Sequence, residues 1–175
     1  MIAKQKRIPG AIVSNSTVLI YLAKIGKLSL LKKLFRKVLI PREVFNEVVI
    51  RGKENQHPDA FVIEAAVEEG WIEVKHIEAI AELEEFGIDS GESQAISLAK
   101  SHGVPVLLDQ THARIAAKAL GLKHRGTIFV LLAALRKKLL SYEEYADSLE
   151  ELVKAGFRMS DEVYLSAVRM GREIK

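Results

Sequence analysis

The succession of short apolar runs and longer helix-periodic segments predicts an α/β fold, with a central, mostly parallel sheet covered on both faces by helices. Three observations carry that expectation. AIV at 11–13, KVLI at 37–40 and VPVLL at 104–108 are compact apolar runs suited to buried strands, with WIEV at 71–74 and LKHR at 122–125 as weaker candidates. Helical periodicity fills the intervals between them. Gly or Pro marks most segment ends.

Taken in order, strand 11–13 stops at Ser14-Asn15-Ser16 and feeds helices over 17–25 and 27–35. After strand 37–40, Pro41 suits a helix start, and helical spacing continues over 42–52 and 58–69. Strand 71–74 precedes a helix over 77–86 and another over 90–101, for which Ser90 is the expected N-cap. Strand 104–108 leads to helix 111–120, strand 122–125 and helix 127–138. Helices over 142–155, capped by Ser141, and over 160–171 close the chain. Gly70, Gly103, Gly121 and Gly156 follow helical segments as stops. In the last helix Val163, Leu165 and Val168, with Tyr164 beside them, form the stripe expected to pack on the domain. One domain over 1–175 is expected, with 1–9 an N-terminal extension and 142–175 C-terminal helices.

The chain has 175 residues, 49% hydrophobic and 28% charged, the mix of a globular protein with a full core. It contains no cysteine, which excludes disulfides and thiolate metal sites. No apolar run reaches the ~18 residues that cross a bilayer, and MIAKQKRIPG lacks the apolar core of a signal peptide. A cytoplasmic location is therefore expected. The net charge is only +3, but it is segregated. Lys24–Lys37 holds six basic residues and no acid, Gln110–Lys138 seven and none, and Glu64–Glu92 ten acids with a single Lys. Such segregation suits a basic face around a nucleic-acid channel, and equally suits helices that merely solvate themselves.

In a parallel sheet all strand ends lie on one edge, where ligands bind. Asn15, Pro41 and Asp109 each follow a strand directly and should share that edge. Glu92 precedes Ala95, Ile96 and Ala99 at helical spacing, which puts it on a sheet-facing stripe near Asp109. A carboxylate buried there needs a proton, a cation or donors. Asp109 also reads as an N-cap, Glu92 as a first-turn acid favoured by the helix dipole, and Asn15 as a cap or Asx-turn former. Glu47 falls off the stripe of Val44, Phe45, Val48 and Val49 and lies ~9 Å along the helix from Pro41, so by pattern it is a solvated acid. Asp89, Glu84 and Glu85 read likewise. His57, His76, His102, His112 and His124 lack ligand spacing and read as surface residues. No phosphate-cradling glycine loop, nucleophile elbow or zinc-protease motif is present. What remains is a cluster of oxygen ligands suited to Mg²⁺ or Mn²⁺ with basic residues around it, the elements of a hydrolytic nuclease.

At these residues the sequence resembles the PIN domain family, and within it prokaryotic members related to toxin ribonucleases of toxin–antitoxin pairs. IVSNSTVLIYLAKIGKLSLLKKLF is similar to the family's first strand and helices, LIPREVFNEVV to its Pro-x-x-Val-x-x-Glu segment, and DSGESQAISLA to its Gly-Glu-x-x-Ala-Ile-x-Leu-Ala segment. VLLDQTHARIAAKALGL is similar to the strand–Asp segment and RGTIFVLLAALRKKLL to the Gly-Thr helix that follows. The resemblance implies a three-layer α/β/α sandwich, an acidic site for Mg²⁺ or Mn²⁺, and cleavage of single-stranded RNA. Carried over by position, the site becomes Asn15, Glu47, Glu92 and Asp109, with Glu92, Asp109 and Glu47 as metal ligands. Thr17 and Thr127 become supporting hydroxyls and Arg114 a phosphate contact. Most active members have Asp where this chain has Asn15, so the alternative to a nuclease is a catalytically weakened module that binds RNA or protein. It further implies a small antitoxin-like partner and a homodimer.

Overall fold

The computed structural model describes residues 8–174. Its first strand, β1 (Ala11–Ser14), feeds α1 (Ser16–Lys24) and α2 (Ser29–Leu34), and β2 (Lys37–Pro41) follows. The next helix changes pitch along its length: α3 (Arg42–Phe45) passes into a π-helical stretch (Asn46–Arg51) and then α4 (Gly52–Glu54). After α5 (Pro58–Glu68) and β3 (Ile72–Lys75) come a 3₁₀ segment (Ala81–Phe86) and α6 (Ser90–His102). The chain continues through β4 (Val106–Leu107), α7 (Thr111–Ala119), β5 (His124–Arg125), α8 (Thr127–Arg136), α9 (Tyr142–Lys154) and α10 (Asp161–Glu173). Each expected strand forms. The N-terminal extension expected over 1–9 lies mostly outside the described residues.

The strands form one sheet in the order β3-β2-β1-β4-β5, every pair parallel. Alternation along the strands divides the core in two, because successive side chains point to opposite faces. Ile12, Val38, Ile40 and Leu107 pack with α1, α2, α5 and α8–α10. Val13, Leu39, Val106 and Leu108 pack with α6, α7 and Leu83 of the 3₁₀ segment. The result is a three-layer α/β/α sandwich. Each fully buried Leu or Ile contributes about 1.5–3 kcal/mol relative to exposure, so this two-sided sheet is the main source of stability. No helix among the described residues is long and apolar enough to cross a membrane.

Three local expectations are corrected. The helix expected over 77–86 is a 3₁₀ segment over Ala81–Phe86. Its apolar residues explain this: Ile80, Leu83 and Phe86 recur at every third position, the period of a 3₁₀ helix. The cap of α6 is Asp89 rather than Ser90. In α10, Ala167 and Gly171 are the buried residues and Tyr164 and Val168 pack beside them, while Val163 and Leu165 face outward. A bare Gly171 decides this, since a Cβ there would overlap the ring of Tyr145, whose hydroxyl donates to the Ala167 carbonyl at 2.9 Å.

Candidate active site at the carboxyl edge of the sheet

From β1 the chain crosses to β2 on one side and later returns to β4 on the other, so the β1/β4 boundary is the topological switch point where open α/β sheets hold ligands. Asn15 sits at that boundary, 2% exposed, with its backbone N–H donating to Leu107 of β4 at 3.2 Å. It is the N-cap of α1: its Oδ1 accepts from the Val18 N–H at 3.3 Å. Its Nδ2 donates to Gln110 Oε1 at 3.0 Å, and Gln110 Nε2 donates to Thr17 Oγ1 at 2.8 Å. Both ends of the Asn15 amide are therefore engaged, which agrees with the capping reading. Gln110 ties it to Thr17.

Glu47 is not the solvated acid that regular helical spacing suggests. It lies in the π-helical stretch, is half-buried, and its Oε2 accepts from the Ser16 hydroxyl. A π turn takes up about one residue more than an α-helical turn, so positions counted at 3.6 residues per turn drift out of phase once it begins. Across from Glu47 stands the start of α6. A Cβ built on Gly91 would lie 3.5 Å from Glu47 Oε2.

Glu92 is buried at the third position of α6 and completes a capping box. Asp89 Oδ1 accepts from the Glu92 N–H at 2.7 Å, and Glu92 Oε2 accepts from the Asp89 N–H at 3.2 Å. Glu92 Oε1 is buried with no hydrogen-bond partner. Burial first, then the charges of Asp89 and Glu47, push this carboxyl above its ordinary range; the Asp89 N–H and His112 only partly oppose them.

Asp109 does not cap the helix that follows it. Gln110 occupies that N-cap position, without a side-chain bond. Asp109 instead reaches the start of α8: Oδ1 accepts from the Thr127 N–H at 2.9 Å and Oδ2 from the Thr127 hydroxyl at 2.7 Å. Arg114 lies 3.6 Å from Oδ1, held by donation from its Nε to the Leu108 carbonyl at 2.8 Å. Burial outweighs these contacts and pushes the Asp109 carboxyl up. Gly126 is required here, because a Cβ would overlap both the carboxylate and the Arg114 guanidinium.

The site residues thus form three groups in a row: Glu92 and Glu47 with Ser16, then Asn15 and Thr17 with Gln110, then Asp109 with Thr127 and Arg114. Chain neighbours join them, Ser16 following Asn15 and Gln110 following Asp109. Among the described residues, no group of three or more His, Asp or Glu side chains is assembled as a metal cage. Two carboxylates of the row are turned onto backbone donors instead. The donor chemistry still fits a hard cation at the Glu47–Glu92 pair, where an unpartnered buried oxygen and clustered negative charge lack compensation. Ser16, Gln110 and Gly126 were not singled out by sequence, since partners such as Asn15 and Gln110 lie 95 positions apart and leave no local pattern. Of the histidines, His102 is buried rather than on the surface.

A family model described as a PIN domain matches residues 11–173. The chain belongs to the PIN domain family. A comparison with curated proteins found no match. PIN domains are generally nucleases, generally depend on divalent metal ions, and take RNA as the substrate that the family suggests. The row of groups just described therefore lies at the ligand-binding edge of a PIN domain.

Proposed function

We propose that this PIN domain is a Mg²⁺- or Mn²⁺-dependent endoribonuclease that hydrolyses single-stranded RNA. The observation that carries the reading is the buried, unpartnered Glu92 Oε1 beside Glu47 at the switch point. Glu92 and Glu47, the latter steadied by Ser16, would hold the cation or position the attacking water, and Asp109 would complete the ligand set from the Thr127 side. A cation bound there would supply ionised water at neutral pH and neutralise charge on the phosphodiester. Water attacks phosphorus, the phosphorus–oxygen ester bond breaks, and the leaving ribose oxygen takes up a proton, with no covalent enzyme intermediate. Asn15 orients its neighbours, since its oxygen caps α1 and its nitrogen is held by Gln110. Thr17 steadies Asn15 through Gln110, Thr127 aims Asp109, and Arg114 contacts phosphate. The toxin resemblance supports a toxin ribonuclease role in the cytoplasm, with an antitoxin-like partner and a homodimer.

A second reading is favoured by Asn15 itself. An amide where active relatives carry Asp removes one negative charge, which suits a catalytically weakened module that binds RNA or protein. Cleavage of a mixed-sequence single-stranded RNA in Mn²⁺ or EDTA separates the two. Wild type is expected to cut only with metal, and Asp109→Asn to lower the rate by at least about 10–100-fold, the loss seen when even residues behind metal ligands are replaced. An inert wild type with an active Asn15→Asp variant supports the binding module. Inertness of all three folded proteins contradicts the nuclease.

A further inference from the structure

We infer that the surface of α7 and the edge strand β5 is the track along which the backbone of single-stranded RNA runs outward from the acidic edge, with Arg114, Lys118, Lys123 and Arg125 as its phosphate contacts. The inference rests on the nuclease reading for the kind of nucleic acid, but its residues come from separate observations.

The two acid-free stretches of the sequence behave differently once folded. Lys32 and Lys37 of the first pair with Glu69 and Glu73 from the acidic stretch, so that region is partly neutralised. In the second, Arg114 pairs with Asp109, while Lys118, Lys123 and Arg125 are exposed and have no acidic partner among the described residues. Lys118 follows Arg114 by one helical turn, which places both on one face of α7. The half-buried His124 of β5 adjoins that face. The charges that reach its imidazole are Arg114, Arg125 and Lys118, all positive, and with burial they push its pKa down. Arg125 is fixed rather than free: its Nη1 donates to the His124 carbonyl at 2.8 Å, and its guanidinium lies 5.1 Å from the Phe129 ring centre. A guanidinium held on an aromatic face suits a chain that offers both phosphates and stacking bases.

The patch starts at the site. Arg114 touches Asp109, and Arg125 stands two residues before Thr127, which binds Asp109. Gathering like charges round one imidazole opposes folding, and an anionic chain laid across them offsets that repulsion. The competing explanation is that β5, which among the described residues pairs only with β4, carries cations to discourage strand addition at the sheet edge. That accounts for Lys123 and Arg125. It does not account for Lys118 and Arg114, which are on a helix.

The test is the affinity of fluorescent mixed-sequence single-stranded RNA in EDTA at several salt concentrations, with cleavage in Mn²⁺ measured in parallel. Wild type is compared with Lys118→Ala/Arg125→Ala and with a charge-matched control, Arg136→Ala/Lys137→Ala, at the far end of α8. Thermal unfolding checks that each is folded. The patch variant is expected to bind about tenfold more weakly and to lose about 0.7 of salt slope per removed contact, the control to match wild type. Equal affinity of patch variant and wild type overturns the track, as does equal weakening in the control or tighter binding of duplex DNA. If wild type cuts RNA while the patch variant binds normally, the track fails and the nuclease stands. If wild type is inert but the patch variant alone loses RNA affinity, the track stands and the nuclease fails.

Discussion

At Glu92 one carboxylate oxygen closes the capping box of α6 while the other lies buried without a donor. The first arrangement suits a charged group and the second opposes it, and the net effect raises the pKa. The sign of the resulting pH dependence follows by linkage. Over the window from the ordinary carboxylate range up to the raised value, the native state keeps a proton that the unfolded chain has released, so this group's contribution to stability falls as pH rises. Glu92→Gln keeps an oxygen for the Asp89 N–H and cannot ionise. In EDTA the stability of wild type relative to Glu92→Gln is therefore expected to decline across that window. Urea unfolding at a series of pH values reads this directly; a wild type that gains on the variant as pH rises contradicts it. Asn15 shows a different economy of charge. Its cap on α1 needs only an oxygen, which an aspartate also supplies, and the amide of Gln110 is both donor and acceptor and can reverse to serve either residue.

Among the elements, the π-helical stretch does most to build the site. It carries Glu47, which meets Ser16, while Val48 and Val49 stay in the core. Directly after it, Gly52 lets the helix approach α5, and a Cβ there would lie 2.8 Å from the Ala60 Cβ. Gly52→Ala is therefore expected to destabilise the fold by about 1–3 kcal/mol, the usual range for overpacking, despite the better helix propensity of Ala. Urea unfolding checks it; an unchanged or raised midpoint contradicts the close approach. The strands were legible in the sequence because a buried parallel strand is a local signal, as AIV and KVLI illustrate. The π turn was not, since Arg42–Glu54 has ordinary helix composition and the rephasing shows only against α5 and α6. For the same reason spacing dismissed Glu47, and only the family resemblance brought it forward. The capping of α6 was readable in principle, because Asp89-x-x-Glu92 is a capping-box pattern that starts one residue before Ser90.

Over the whole molecule, sheet order converts distant sequence into one edge. Placing β1 in the centre sets residues 14–17 beside 107–110, and no local pattern in either segment announces that contact. Folding likewise redistributes charge: the acidic stretch neutralises part of one basic stretch and leaves the α7–β5 surface positive. The acids at the carboxyl edge and the cations beside them form a dipolar surface suited to a cation and a polyanion together. The decisive step is the cation. Calorimetric titration of Mn²⁺ into metal-free wild type and Glu92→Gln at neutral pH tests it most directly. Saturable binding to wild type that is lost or weakened about 10-fold or more in Glu92→Gln is expected of a site centred on this carboxylate. No binding by wild type, or equal binding by both proteins, would contradict it.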